Sequence, residues 1–214
     1  MGGEVGWVGG NWNVNCGCCW VPVRALCGKW GVVDVGVRGA GVGGAGRLGA
    51  VVVRRAEGRD ARRLTRMVRS SRAYEGRYAA MVEGYRVGPD YIEAHRVFVA
   101  VAMDVEVEKG ADAVRCGERV LGFYALVVEP AELDLMFVGD QAQGYGIGRR
   151  LVEHMQEEAR RLGIERVRVV SHPPAEGFYR SVGARLVGMV PANPPVVMWD
   201  RPELAFLVGS QGER

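Results

Sequence analysis

The stretch Leu133-Asp-Leu-Met-Phe-Val-Gly-Asp-Gln-Ala-Gln-Gly-Tyr-Gly-Ile-Gly-Arg-Arg-Leu151 constrains this chain more than any other. An apolar run breaks into alternating glycines at 144, 146 and 148 and then into a helical pattern, which predicts strand, loop and helix. Glycines leave successive backbone N–H groups uncovered by side chains, and these donors sit at the positive end of a helix dipole. An anion should bind there. Two other glycine-rich readings fail. A phosphate-binding P-loop needs Lys-Ser/Thr after the glycines, and none follows. The Gly41-Val-Gly-Gly-Ala-Gly46 match to the dinucleotide fingerprint is followed by Arg47-Leu-Gly-Ala-Val-Val-Val53, a strand-like run where that fingerprint needs a helix.

At 214 residues and 48% hydrophobic content the chain can bury one full core. Residues 1–50 hold 15 of the 32 glycines, four of the five cysteines and four of the five tryptophans, with four basic and two acidic residues. From Val51 onward 24 basic and 23 acidic residues mix evenly. This shift divides the chain into a Gly/Cys/Trp-rich extension over 1–50, a domain over 51–208 and a tail over 209–214. An over-long reading frame, with the functional protein starting near Val51, is one account of the extension. Peptides from residues 1–50 in mass spectrometry of the natural N-terminus would exclude it.

Cys16-Gly-Cys-Cys19 has the gap of a zinc knuckle, yet a second spaced pair is missing and the three histidines, His95, His154 and His172, are remote in sequence, so no metal is expected. The net charge of +3 is spread along the chain, which gives no reason to expect nucleic acid as a partner. No run approaches a membrane span, and the first residues lack a secretory signal pattern. The expected location is the cytoplasm.

From Val51 the pattern gives a short strand over 51–56 and an amphipathic helix over 61–68 with Leu64, Met67 and Val68 inward. Tyr74, Tyr78, Met81, Val82 and Tyr85 recur at intervals of three and four, predicting a second helix or a broken pair before Gly88-Pro89. Residues 95–107 and 118–128 read as neighbouring antiparallel strands, with Cys116 in their connection. A fourth strand over 132–138 precedes the glycine loop. The helix after it buries Ile147, Leu151, Met155, Ala159 and Leu162 and ends at Gly163. A fifth strand over 166–170, a short helix over 175–182, a strand from Ala184, and a last strand near Val196–Trp199 complete the order.

Gln143-Gly-Tyr-Gly146-Ile-Gly148 and Ala175-Glu-Gly-Phe-Tyr179-Arg-Ser-Val-Gly183-Ala together resemble the GCN5-related N-acetyltransferase (GNAT) superfamily, over roughly residues 51–208. The first has the form Q/R-x-x-G-x-G/A, the second A-x-x-F-Y-x-x-x-G-F/A. The resemblance implies an α/β (α+β) acyl-CoA N-acyltransferase fold: a mixed sheet of six or seven strands, helices on both faces, and fourth and fifth strands that splay apart. It implies acetyl-CoA as co-substrate. Backbone groups of Phe137 and Val138 would pair with the pantetheine arm. Amides of Gln143, Gly144, Tyr145, Gly146, Ile147, Gly148 and Arg149 would cradle the phosphates.

Tyr179 matches the family position that protonates or hydrogen-bonds the CoA sulfur, while its plain reading is an aromatic core residue. Adjacent helical residues point about 100° apart, so Phe178 is expected in the core and Tyr179 in the cleft. Glu132 and Asp134 lie two apart on a strand, opposite Leu133 and Leu135. Either could take the ammonium proton, both could recognise a cation, or both could sit at a strand edge; Glu132 is the first choice for the base. His172, in Ser171-His-Pro-Pro174, departs from the Asn or Asp of similar proteins; an imidazole there could serve as base, but a loop-start residue without function is the expectation. Acetyl transfer to a primary amine of a small molecule or peptide is the activity implied, with a homodimer allowed as assembly. A degenerate acyl-CoA-binding sensor or scaffold is the alternative.

Overall fold

The computed structural model describes residues 50–107 and 114–209. The N-terminal cysteines, the Gly41–Gly46 match and most of the C-terminal tail lie outside them. In chain order the elements are β1 (Val51–Arg55), α1 (Ala61–Arg69), α2 (Ala80–Glu83), α3 (Pro89–Ala94), β2 (Arg96–Val107), β3 (Val114–Val127), β4 (Glu132–Val138), α4 (Ile147–Arg161), β5 (Arg166–Val170), α5 (Glu176–Ser181), β6 (Arg185–Val190) and β7 (Arg201–Leu207). The strands form one seven-stranded sheet in the order β1-β2-β3-β4-β5-β7-β6. Every pairing is antiparallel except β4 with β5.

Strand alternation divides the apolar residues between two cores, one on each face. Val97, Val99 and Val101 of β2 pack with Leu64, Val68 and Ile92 of α1 and α3. Ala100 and Ala102 lie on the other face with Ile147, Leu151 and Met155 of α4 and Leu204 and Phe206 of β7. In α4 the inward positions are Ile147, Leu151, Val152, Met155, Glu158 and Ala159. Glu158 is tolerated there because Arg96 and Arg161 each approach its carboxylate at 3.6 Å.

One irregularity shapes the site. The β3–β4 register runs Ala125↔Leu135 and then Leu126↔Leu133, so Asp134 is an extra residue in β4. Leu133 therefore packs in the α4 core, whereas Leu135 and Phe137 pack in the α1 core. Simple alternation would put Leu133 and Leu135 on one face; the bulge separates them.

Two expectations change, and one left open resolves. Of the second helix or broken pair before Gly88-Pro89 the structure has the broken form, with 3-10 turns at Arg72–Tyr74 and Gly76–Tyr78 before α2. Extended backbone at Glu75 and a left-handed Gly76 (φ 71°) interrupt the helical path. The second long strand begins at Val114 rather than 118. The last strand is Arg201–Leu207, while residues 193–197 form a turn closed by the Asn193–Val197 bridge. Pro194 and Pro195 within that turn have no N–H to give a ladder.

Candidate functional site

β4 and β5 share one register pair, Glu132↔Arg168, reinforced by the Arg168 N–H donating to the Ala131 carbonyl at 3.0 Å. Beyond it they part. A cavity of about 570 Å³ occupies the opening, lined by β4 from Leu133 to Val138, the glycine loop, the start of α4, Val170, His172 and α5.

At one end lies the glycine loop. Gly144 (φ 81°) and Gly146 (φ 76°) adopt left-handed backbone, which L side chains rarely enter, and Gly146 is the N-cap of α4. The first helical N–H bonded back is that of Arg150, to Gly146 O at 3.1 Å. Among the described residues the amides of Gly144, Tyr145, Gly146, Ile147, Gly148 and Arg149 have no backbone partner, so six donors stand at the positive end of a 15-residue helix. Gln143 differs from its neighbours: its amide bonds Asp140 O at 3.4 Å and its side chain bonds Asp140 Oδ1 at 3.2 Å. At Gly148 a Cβ would meet the Phe178 ring at 3.0 Å, which is why the helix can approach α5 so closely.

The free edge of β4 follows from its ladder. The Gly139 amide donates to Leu121 O at 2.8 Å, and a Cβ at Gly122 would lie 2.8 Å from Phe137 O, so Phe137 turns its backbone toward β3. Alternation then turns the amides and carbonyls of Met136 and Val138 into the opening. Of the two residues expected to pair with an extended ligand, Val138 presents its backbone to the gap; Phe137 does not, and Met136 takes its place.

Tyr179 lies deeper than expected. It is buried in the α4 core against Phe206 and Phe178, while Phe178 is only half-buried against Gly148. Both rings line the cavity. Burial pushes the Tyr179 phenol well above its ordinary pKa, with Tyr74 adding to the shift, so it stays protonated at neutral pH.

The carboxylates separate. Glu132, the expected base, does not line the cavity: its Oε2 lies 2.8 Å from Arg168 Nη1, and Arg168 Nε lies 2.6 Å from Glu203 Oε1 on β7. It belongs to an ion triad at the closed end of the opening. Asp134, carried outward by the bulge, does line the cavity and accepts the Tyr91 hydroxyl of α3. Burial, then the hydrogen bond to Asp134, push the Tyr91 phenol far up; burial and then Asp134 push Tyr85 up to about 12.

His172 is no idle loop residue. It is buried, its Nε2–H donates to Ala73 O at 2.8 Å, and its ring stacks on Tyr74 at 4.5 Å and meets Tyr78 edge-on at 4.2 Å. Tyr78 in turn meets Trp199 at 4.4 Å. Burial lowers the His172 pKa, the Ala73 bond opposes this, and Arg77 adds to it. Sequence reasoning missed this cluster because the tyrosine spacing looked helical; the unusual histidine before Pro173 was the available signal. Among the described residues, no group of three His, Cys, Asp or Glu side chains could hold a metal ion. No helix among them is long and apolar enough to cross a membrane.

A seven-stranded mixed sheet opened between parallel β4 and β5, with a glycine loop and helix N-terminus at its mouth, is the acyl-CoA N-acyltransferase fold. The model of the acetyltransferase (GNAT) domain matches residues 107–189. A GCN5-related N-acetyltransferase from Rhodopseudomonas palustris shares 14% identity at a TM-score of 0.56, covering 77% of this chain and 99% of that one. A GNAT-family acetyltransferase from Desulfovibrio desulfuricans is 18% identical at 0.54, over 75% and 100%. An acetyltransferase from Salmonella typhimurium, solved with its cofactor acetyl-CoA, is 18% identical at 0.52, over 77% and 97%. At such identities the likeness shows the fold. No curated protein matches the sequence.

Proposed function

We propose that the protein transfers an acetyl group from acetyl-CoA to a primary amine of a small molecule or peptide by direct attack. The observation that carries this is the run of six amides from Gly144 to Arg149, without a backbone partner among the described residues, at the mouth of a strand opening floored by Tyr179. Those amides suit a pyrophosphate, and Arg149, exposed at the cavity rim, adds positive charge. The edge groups of Met136 and Val138 suit the two amides of a pantetheine arm laid in the gap like an added strand.

Asp134 replaces Glu132 as the carboxylate for the incoming ammonium, because it faces the cavity and Glu132 is committed to Arg168. It takes a proton from the ammonium, leaving a neutral nucleophile. Tyr179, kept protonated by burial, supplies the proton for the departing thiolate. A screen of acetyl-CoA-dependent CoA release over amines, amino acids and peptides tests the reading, with the Gly146→Glu variant as control. Release that persists in that variant would refute the donor site. Tight CoA binding without transfer to any amine would identify a sensor instead.

A further inference from the structure

Tyr74 reaches the opening from the face opposite Tyr179. Tyr179 belongs to the core under α4, Tyr74 packs on the core under α1, and both line the same cavity. The Tyr74 ring is held on two sides. It stacks on Phe137 of β4 at 5.7 Å and 28°, and on His172 after β5 at 4.5 Å and 18°, so it bridges the two strands where they have separated. His172 is itself fixed by its bond to Ala73 O, next to Tyr74 in the chain. The Tyr74 hydroxyl makes no hydrogen bond to the other described residues, and burial holds it protonated. Tyr74 shares the cavity lining with Tyr179 and with Asp134. An O–H donor on a ring held between two partners at the wall of the opening is the kind of group that stabilises charge developing on a carbonyl oxygen.

We propose that Tyr74 is a catalytic residue of the transfer, its phenol donating a hydrogen bond to the thioester carbonyl oxygen as the amine attacks; this rests on the acyl-donor reading above. The amine lone pair forms the N–C bond, and the carbonyl π pair moves onto the oxygen facing Tyr74. On collapse the C–S bond breaks with its pair on sulfur, the Tyr179 proton follows, and the proton leaving nitrogen returns to the Tyr179 phenolate. Tyr74 keeps its own proton throughout. His172 is a positioning residue that holds the ring in place.

Calorimetric titration of the full chain and of Tyr74→Phe with acetyl-CoA and with CoA tests this. Phenylalanine preserves the ring and both stacking partners. CoA carries no carbonyl on sulfur, so its affinity stays at the wild-type value, while that of acetyl-CoA weakens about fivefold. With an amine found by the screen, turnover falls about a hundredfold at unchanged KM for the amine. Unchanged affinities for both ligands, or equal weakening of both, overturn the role of Tyr74 alone. A wild-type protein that binds neither ligand overturns the acyl-donor reading as well.

Discussion

Glu132 and Arg168 meet twice, once as the register pair joining β4 to β5 and once as an ion pair at 2.8 Å. The backbone and the side chains therefore clamp the same point, the closed end of the opening. Arg168 extends the clamp to Glu203 of the next strand, β7, and the two carboxylates hold its guanidinium pKa above the ordinary value.

The clamp predicts a mild phenotype. Its side chains are 22% and 38% exposed, so Glu132→Gln should cost only about 1 kcal/mol in thermal or urea unfolding and leave turnover nearly unchanged. A collapse of kcat with normal stability would return Glu132 to the chemistry.

Gly146→Ala introduces no clash, since nothing lies within 4 Å of a Cβ there, but φ of 76° disfavours any L side chain by about 1 kcal/mol. Relaxation of that residue turns the neighbouring amides away. CoA affinity measured by calorimetry should fall more than stability does; an unchanged affinity would contradict the amide cradle.

Tyr179→Phe should keep CoA affinity and lose roughly a hundredfold in kcat. Because burial holds this phenol above its usual pKa of about 10, the wild-type rate should show no fall from its ionisation between pH 7 and 10. A descending limb near pH 9 that disappears in Tyr179→Phe would refute the assignment.

His172 and His154 both have lowered pKa values, each chiefly through burial. The unfolded chain then binds more protons than the fold below about pH 6.5, so stability is full above that value and declines as pH falls toward the depressed folded pKa values. Melting temperature should drop between pH 7 and pH 5, and a His154→Gln/His172→Gln double variant should flatten that slope. A slope unaltered by both substitutions would place its origin elsewhere.

Asp60 is 2% exposed and binds the partly buried Arg54 at 2.8 Å while capping the Glu57 amide at 2.9 Å. Asp60→Ala leaves the guanidinium with Glu118 and the Arg55 carbonyl and should cost about 3 kcal/mol by urea unfolding. A loss below about 1 kcal/mol would show that solvent or Glu118 replaces the carboxylate.

Much of this was legible in the sequence. Apolar alternation in Val97–Val101, the helical face Ile147-Leu151-Met155 and the glycines at 144 and 146 each encode their structure locally, and local patterns survive folding. The Asp134 bulge did not show, because an extra residue in one strand is defined only against its partner across the ladder. For the same reason Glu132 could not be told from Asp134: Arg168, 36 residues away, decides which carboxylate is engaged. The Tyr74–His172 stack joins residues 98 apart in the chain and rests on turns that break the helical spacing the tyrosines suggest.

The row of main-chain donors from Gly144 to Arg149 places few demands on side-chain identity. An anion held by peptide groups asks for glycine where φ is positive and for a small residue where α5 presses close, and for little else. Two proteins can thus diverge to 14% identity within one fold. What distinguishes one from another must then be written on the opposite wall, in side chains such as Tyr74, Tyr91, Asp134 and His172.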